Sequence, residues 1–227
     1  MLEAQVNDAE QHAEFHHFLS LCTPKMYLFD IGAHYGAFSV AAALHGGTAL
    51  AVDPSPTAVR MIAKQAILNK CDKNIQTIRF AVSDSNGVIG LLSSGVFSHG
   101  YFKVAKGRPK SELIQSPSVT VDELVRRFGA PTHIKIDVEG HEAAALRGAR
   151  AFLAEHSPIL FLELHNEMVR SERGDPRAAL EEITSLGFKT FSLAGCLLTP
   201  DEILSQPIIR LVAKRNVSVA RAGAAQT

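Results

Sequence analysis

Three groups of residues have the types and spacing to do chemistry. The first is Asp30-Ile31-Gly32-Ala33-His34-Tyr35-Gly36. It closes the apolar run Met26 to Ile31, which reads as a strand covered on both faces. A glycine turn between such a strand and a following helix lets backbone approach a cofactor closely. Three residues separate Gly32 from Gly36, whereas the dinucleotide fingerprint needs G-x-G-x-x-G, so a nicotinamide enzyme is disfavoured. The second group is Asp53-Pro54, which ends a second apolar run, Thr48 to Val52. An acid about 20 residues after a glycine turn can accept both hydroxyls of an adenosine ribose. Together the two groups predict an adenosine-type cofactor without a pyrophosphate. Each alone has a plainer reading, an ordinary strand-to-helix turn and an acid favoured by a helix dipole.

The third group spans Lys135, Asp137, Glu139 and His141, followed by Glu163, His165 and Asn166. Strand side chains alternate, so Lys135 shares a face with Asp137, and Phe161, Glu163 and His165 share one. A lysine is costly to bury alone, so if those two strands are neighbours Lys135 is predicted to pair with Glu163 or Asp137. An ion pair that only holds the strand ends is the competing account. For taking up a proton, His141 and His165 have suitable pKa values, and Glu139 or Asp137 would serve if desolvated. His165 is favoured because it follows a strand at the ligand-binding end. Its plainer role is to cap that strand end. His12, His16 and His17 offer an i, i+4 pair without a third ligand and read as a solvated amphipathic helix.

Short apolar runs that alternate with helical periodicity predict an α/β domain with a mainly parallel sheet. Expected strands are Met26 to Ile31, Thr48 to Val52, Ile75 to Val82, His133 to Val138, Ile159 to Leu164, Phe188 to Leu193 and Ile208 to Ala213. Expected helices are Ala37 to Leu44, one capped by Ser55-Pro56 with inner face Val59, Ile62, Ala63, Ala66 and Ile67, and Val121 to Phe128. Two more follow, one burying Ala145, Leu146, Ala149, Phe152 and Leu153, and one from Asp175 to Gly187. Gly, Ser and Pro are frequent between Ser83 and Thr120, which reads as hairpin plus loop. Its basic stretch, Lys103 to Lys110, would either steer an acidic acceptor or form a solvated surface.

Length and charge bound the function. The chain has 227 residues, 46% of them hydrophobic, which suits one globular domain or at most two small ones. Its 23 Lys+Arg balance 23 Asp+Glu, so no global positive field favours nucleic acid. Cys22, Cys71 and Cys196 lie far apart, against a disulfide framework or cysteine zinc site. No apolar run approaches the length of a membrane span, and the start lacks a signal peptide's continuous apolar core, so the expected location is cytoplasmic. The expected organisation is an N-terminal helical segment over residues 1–24, a domain over 25–216 and a disordered tail over 217–227. The N-terminal segment would form either a lid or a contact with a second subunit; the sequence leaves the oligomeric state open.

The blocks DIGAHYG (Asp30 to Gly36), VDPSPTAVRMIAKQAILN (Val52 to Asn69), AVSDSNG (Ala81 to Gly87), TVDELV (Thr120 to Val125), IKIDVEGHEAAALRGA (Ile134 to Ala149) and PILFLELH (Pro158 to His165) resemble the FkbM family of S-adenosylmethionine-dependent methyltransferases. Two departures stand out: His34 replaces the usual asparagine, and Val88 to Ser118 matches no family block. The resemblance implies a Rossmann-like class I methyltransferase fold, a three-layer α/β/α sandwich with a seven-stranded, mostly parallel sheet and an antiparallel last strand. It would place Asp30, Gly32, His34 and Gly36 at the methionine end of the cofactor. Asp53 with Pro54 would meet the ribose, Ser83 with Asp84 the adenine edge, and Asp137 the methyl group. The implied acceptor is a hydroxyl of a small molecule, a secondary metabolite or saccharide. A macromolecular or nitrogen acceptor, or a SAM-binding protein without catalysis, are the alternatives. The stretch IDVEG stands where transfer to a nucleobase amine would need a D/N/S-P-P-Y/F element, so oxygen is the better acceptor. No metal is predicted, although Mg²⁺ at Asp137, His165 and Asn166 stays open because it needs few protein ligands.

Overall fold

The computed structural model describes residues 9–93, 102–104 and 113–215. Helix α1 (Ala9–Leu21) precedes β1 (Tyr27–Ile31), α2 (Ala37–Leu44), β2 (Thr48–Val52), α3 (Pro56–Leu68) and β3 (Ile75–Ile78). Four strands follow: β4 (Ala81–Val82), β5 (Gly87–Ser93), β6 (Phe102–Val104) and β7 (Ile114–Val119). Then come α4 (Val121–Phe128), β8 (His133–Ile136), α5 (Glu142–Arg147), α6 (Arg150–Glu155), β9 (Ile159–Leu164) and α7 (Asn166–Ser171). The described chain ends with α8 (Arg177–Ser185), β10 (Lys189–Phe191), α9 (Pro200–Ser205) and β11 (Ile209–Lys214).

Among the described residues, the main sheet has seven strands in the order β10-β11-β9-β8-β1-β2-β3. The strands from β9 to β3 pair in parallel, and β11 runs antiparallel to both β9 and β10. This is the class I arrangement expected from the resemblance. Alternation along β1 shows how both faces fill: Phe29 and Ile31 enter a core with residues of α4, α5, α6 and α8, whereas Leu28 joins Phe18 of α1 and Ala41 and Ala42 of α2. From β1 the chain moves to β2 and β3 on one side and later returns to β8 and β9 on the other. The boundary of β1 and β8 is therefore the topological switch point, and a crevice forms beyond the strands' carboxyl ends.

Several elements differ from their sequence reading. The strand expected over Ile75 to Val82 is broken. Asp53 donates its N–H to the Ile78 carbonyl, and β4 then leaves to pair with β7 in a smaller sheet of order β4-β7-β5-β6. That sheet occupies much of the stretch read as hairpin plus loop. Lys103 lies in β6, while Lys106, Arg108 and Lys110 fall outside the described residues, as do residues 1–8 and 217–227.

The helix expected to run through Ala145 and Leu153 is two helices. Gly148 sits so close to Ser83 that a β-carbon there would overlap the Ser83 carbonyl oxygen. The Asp122 carboxylate then accepts the N–H groups of Ala151 (3.1 Å) and Phe152 (2.8 Å), supplying a new helix start. On α3 the buried face is Ala58, Ile62 and Ala66, and Ile67 is exposed rather than inward-facing. The short helices α7 and α9 had no sequence assignment.

Candidate active site at the carboxyl ends of the strands

The glycine turn is held from two sides. Gly32 adopts a left-handed backbone, φ 77°, and a side chain there would overlap the Asp137 carbonyl oxygen, so the loops after β1 and β8 touch. Asp53 fixes the turn from β2: Oδ2 accepts the His34 N–H at 2.9 Å and Oδ1 accepts the Ser55 N–H at 2.8 Å. Burial pushes the Asp53 carboxyl up to about 7, against those two N–H bonds and with further upward pressure from Asp30 and Asp137. Each oxygen retains acceptor capacity, as a pair of ribose hydroxyls would require. His34 is itself left-handed, φ 49°, and its ring packs on Tyr35. Pro54 offers its carbonyl to Arg79.

Asp30 is buried at the end of β1. Its Oδ2 accepts both the N–H (3.1 Å) and the hydroxyl (2.6 Å) of Ser39, tying β1 to α2. Gly36 caps α2 in a left-handed conformation. Beyond β4, Ser83 Oγ is hydrogen-bonded to His141 Nε2 at 3.0 Å, and Asp84 pairs with Arg147 at 3.2 Å. Burial disfavours the charged Asp84, and Arg147 more than offsets it, holding its pKa below the ordinary value. His141 thus stands with Ser83.

Asp137, Glu139, Glu163 and His165 do come together. His165 is 4% exposed. Its Nδ1 donates to Oε1 of Glu142 at 2.9 Å, and the same oxygen accepts the Gly140 N–H at 2.9 Å. The opposite nitrogen, Nε2, faces Glu139 Oε2 and Glu163 Oε1 at 3.6 Å each and Asp137 Oδ1 at 4.0 Å. Burial would lower the His165 pKa, but the Glu142 hydrogen bond and charge, then Asp137 and Glu139, raise it to about 9. The surrounding carboxylates thus favour the charged form of the ring. Of the two proton-handling candidates, Asp137, whose side chain is 28% exposed, is the more accessible, and His165 lies behind it at 4%. Glu139 has φ 53°, a conformation that non-glycine residues seldom adopt.

Lys135 meets Asp137 Oδ2 at 3.4 Å, as one of its two expected pairings requires. Glu163 instead takes a two-pronged contact from Arg210, at 2.8 and 3.0 Å, directly across the β9–β11 ladder. Burial opposes the Lys135 charge, but Asp137, Glu14, Glu163 and Asp30 hold its pKa above the ordinary lysine value. Burial and Asp137 push Glu163 up to about 7 against Lys135, Arg210 and His165. Glu14 of α1, 1% exposed, reaches Lys135 at 3.6 Å and Arg210 at 3.7 Å. Its Oε1 is buried without a hydrogen bond.

Asn166 is buried beside this cluster. Its amide donates to the carbonyls of Ile203 and Gln206 and anchors α9. The remaining histidines behave as read: His12 and His16 are exposed on α1, although His17 lies against Phe161. Beside the cluster, a cavity of about 140 Å³ is lined by His141, Glu142, Leu164, His165 and Val169.

The residues fit an adenosine-type group. Gly32 keeps β-carbon volume out of the turn, Asp53 presents an oriented carboxylate, and the Ser83–His141 pair adds polar groups across the crevice. Residues 30–190 match the model of the methyltransferase FkbM domain. Among solved structures, the fold is similar to methyltransferase FkbM from Methylobacillus flagellatus KT, with TM-score 0.55 and 15% identity over 85% of this chain and 44% of that one. It is also similar to precorrin-6y C5,15-methyltransferase from Geobacter metallireducens GS-15, with TM-score 0.52 and 10% identity over 91% and 89%. A third is an O-methyltransferase from Bacillus cereus in complex with SAH, with TM-score 0.51 and 10% identity over 93% and 85%. The chain spans less than half the length of the Methylobacillus protein. No curated protein matches the sequence.

Proposed function

The chain belongs to the FkbM methyltransferase domain family, and from that premise we propose that it is an S-adenosylmethionine-dependent O-methyltransferase acting on a hydroxyl of a small molecule, a secondary metabolite or a saccharide. One observation carries this reading: the glycine turn held by Asp53 abuts the Asp137–His165 cluster, with Gly32 against the Asp137 carbonyl and the Asp137 N–H donating to Ile31. A cofactor turn and a proton-handling group therefore lie on adjacent strand ends.

The bound cofactor supplies an electrophilic sulfonium methyl group. The protein's part is alignment and electrostatics. In this reading Asp53 holds the ribose and Asp137 borders the acceptor hydroxyl. Asp137 would take up the proton that the acceptor hydroxyl gives up. His165, held by Glu142, would orient the Asp137 carboxylate. Lys135 does the same from the other oxygen.

Isothermal titration with S-adenosylhomocysteine tests the reading without knowledge of the acceptor. Micromolar binding is expected, weakened at least tenfold in Asp53→Ala. No heat, together with no thermal shift on adding S-adenosylmethionine, would overturn the reading.

A further inference from the structure

We propose that Asp137 Oδ1, Glu163 Oε1 and His165 Nε2 form a site for one divalent transition-metal ion. These three atoms lie within 4.8 Å of one another. Ligand atoms around a tetrahedral ion with bonds of roughly 2.1 Å stand about 3.4 Å apart. The 3.6 Å and 4.0 Å separations from Nε2 are close to that spacing.

The imidazole is what distinguishes this from a bare group of acids. His165 is 4% exposed and has its Nδ1–H committed to Glu142, so Nε2 is the nitrogen aimed at the carboxylates of Asp137, Glu139 and Glu163. A carboxylate behind a histidine fixes the tautomer that ligates through Nε2 and increases the nitrogen's donor strength. A bound ion takes the place of the Nε2 proton.

Charge leaves room for it. The carboxylates of Glu14, Asp137, Glu139, Glu142 and Glu163 outnumber the permanent cations Lys135 and Arg210. Both cations bind from outside: Lys135 takes Oδ2 of Asp137, leaving Oδ1, and Arg210 leaves a lone pair on Glu163 Oε1. Imidazole among the ligands favours Mn²⁺, Fe²⁺ or Zn²⁺ over Mg²⁺, which prefers oxygen donors and water. This set differs from Asp137, His165 and Asn166 in taking Glu163, whose Oε1 lies 3.6 Å from Nε2. Metal binding itself does not depend on the methyltransferase reading. A role in activating the acceptor hydroxyl does.

The test is titration of the full, metal-stripped chain with Mn²⁺, followed by loss of the free-ion signal in electron paramagnetic resonance. One ion per chain is expected, displaced by Zn²⁺, with ¹⁴N modulation in the pulsed spectrum from the imidazole. Affinity should fall at least tenfold in Asp137→Asn and His165→Gln and stay unchanged in Asp72→Asn. The nitrogen modulation is read on the unaltered protein, so a poorly folded variant does not blunt the test. Absence of stoichiometric binding, binding without nitrogen coupling, or equal affinity in correctly folded ligand variants would each overturn the site. S-adenosylhomocysteine affinity, measured in EDTA, separates this outcome from failure of the cofactor reading.

Discussion

At the scale of single residues, the site is an arrangement of opposed charges in which His165 is the pivot. Its folded pKa of about 9 lies above the ordinary value near 6.5, so its contribution to stability is fully present below about pH 6.5 and is lost as pH rises through 9. Asp53 and Glu163, both raised to about 7, push stability in the same direction at lower pH. The melting temperature of the ligand-free protein should therefore fall between pH 6 and 9.5. Glu142→Gln should flatten the upper part of that fall, by several degrees, because it removes the main charge that retains the proton. A slope unchanged in that variant would show that Glu142 does not set the His165 charge. In turnover assays, His165→Ala is expected to lower kcat at least a hundredfold while S-adenosylhomocysteine affinity stays within about threefold of the parent. Much of this site was legible beforehand: Asp53, Asp137, Glu163 and His165 stand at strand ends, where polar residues interrupt apolar runs. Glu14 and Arg210 were missed, although each left a signal. Arg210 interrupts the apolar run Ile208 to Ala213 as Lys135 interrupts its own strand, and Glu14 precedes the inward-facing Phe18 by one helical turn.

At the scale of elements, boundaries were legible where local chemistry fixes both ends. Helix α4 runs from Val121 to Phe128 as expected because the Thr120 hydroxyl accepts the Glu123 N–H and Gly129 leaves the helical region. The N-cap Ser55 likewise receives the Ala58 N–H. Boundaries set by distant partners were not legible, and the break between α5 and α6 is the clearest case. Its cause, Asp122, lies in another helix. Asp122→Ala should remove the start of α6 at a cost of about 1–2 kcal/mol, lowering the melting temperature by roughly 2–4 °C for each kcal/mol. Calorimetry of the variant checks this, and an unchanged melting temperature would deny Asp122 its capping role. Helix α9 carries a complete signal in Thr199, Pro200 and Glu202, with both halves of a capping box formed, and could have been assigned from sequence.

For the whole molecule, the N-terminal helix is part of one face of the sandwich. Phe18 makes edge-on contacts with Phe38 of α2 and Phe161 of β9, and Phe15 meets Phe38. A helix so placed covers Lys135 and delivers Glu14 to it, which neither the lid nor the subunit-contact reading had specified. Phe18→Ala should cost about 3–5 kcal/mol and also loosen the cluster below, visible as faster hydrogen exchange in β8 and β9. Exchange confined to α1 would instead mean that the helix is separable from the domain. Among the described residues, no helix is long and apolar enough to cross a membrane.

The position of β11 bears on how the protein must be made. It is the last of the seven strands along the chain, yet it lies inside the sheet, between β9 and β10. While a ribosome is still adding Ile209 to Lys214, β9 and β10 have no partner between them, Glu163 waits for its guanidinium, and an open strand edge is available to other nascent chains. The charged centre and the sheet are thus completed by the same late insertion. A chain halted before that strand would be an aggregation hazard rather than a smaller, weaker version of the protein.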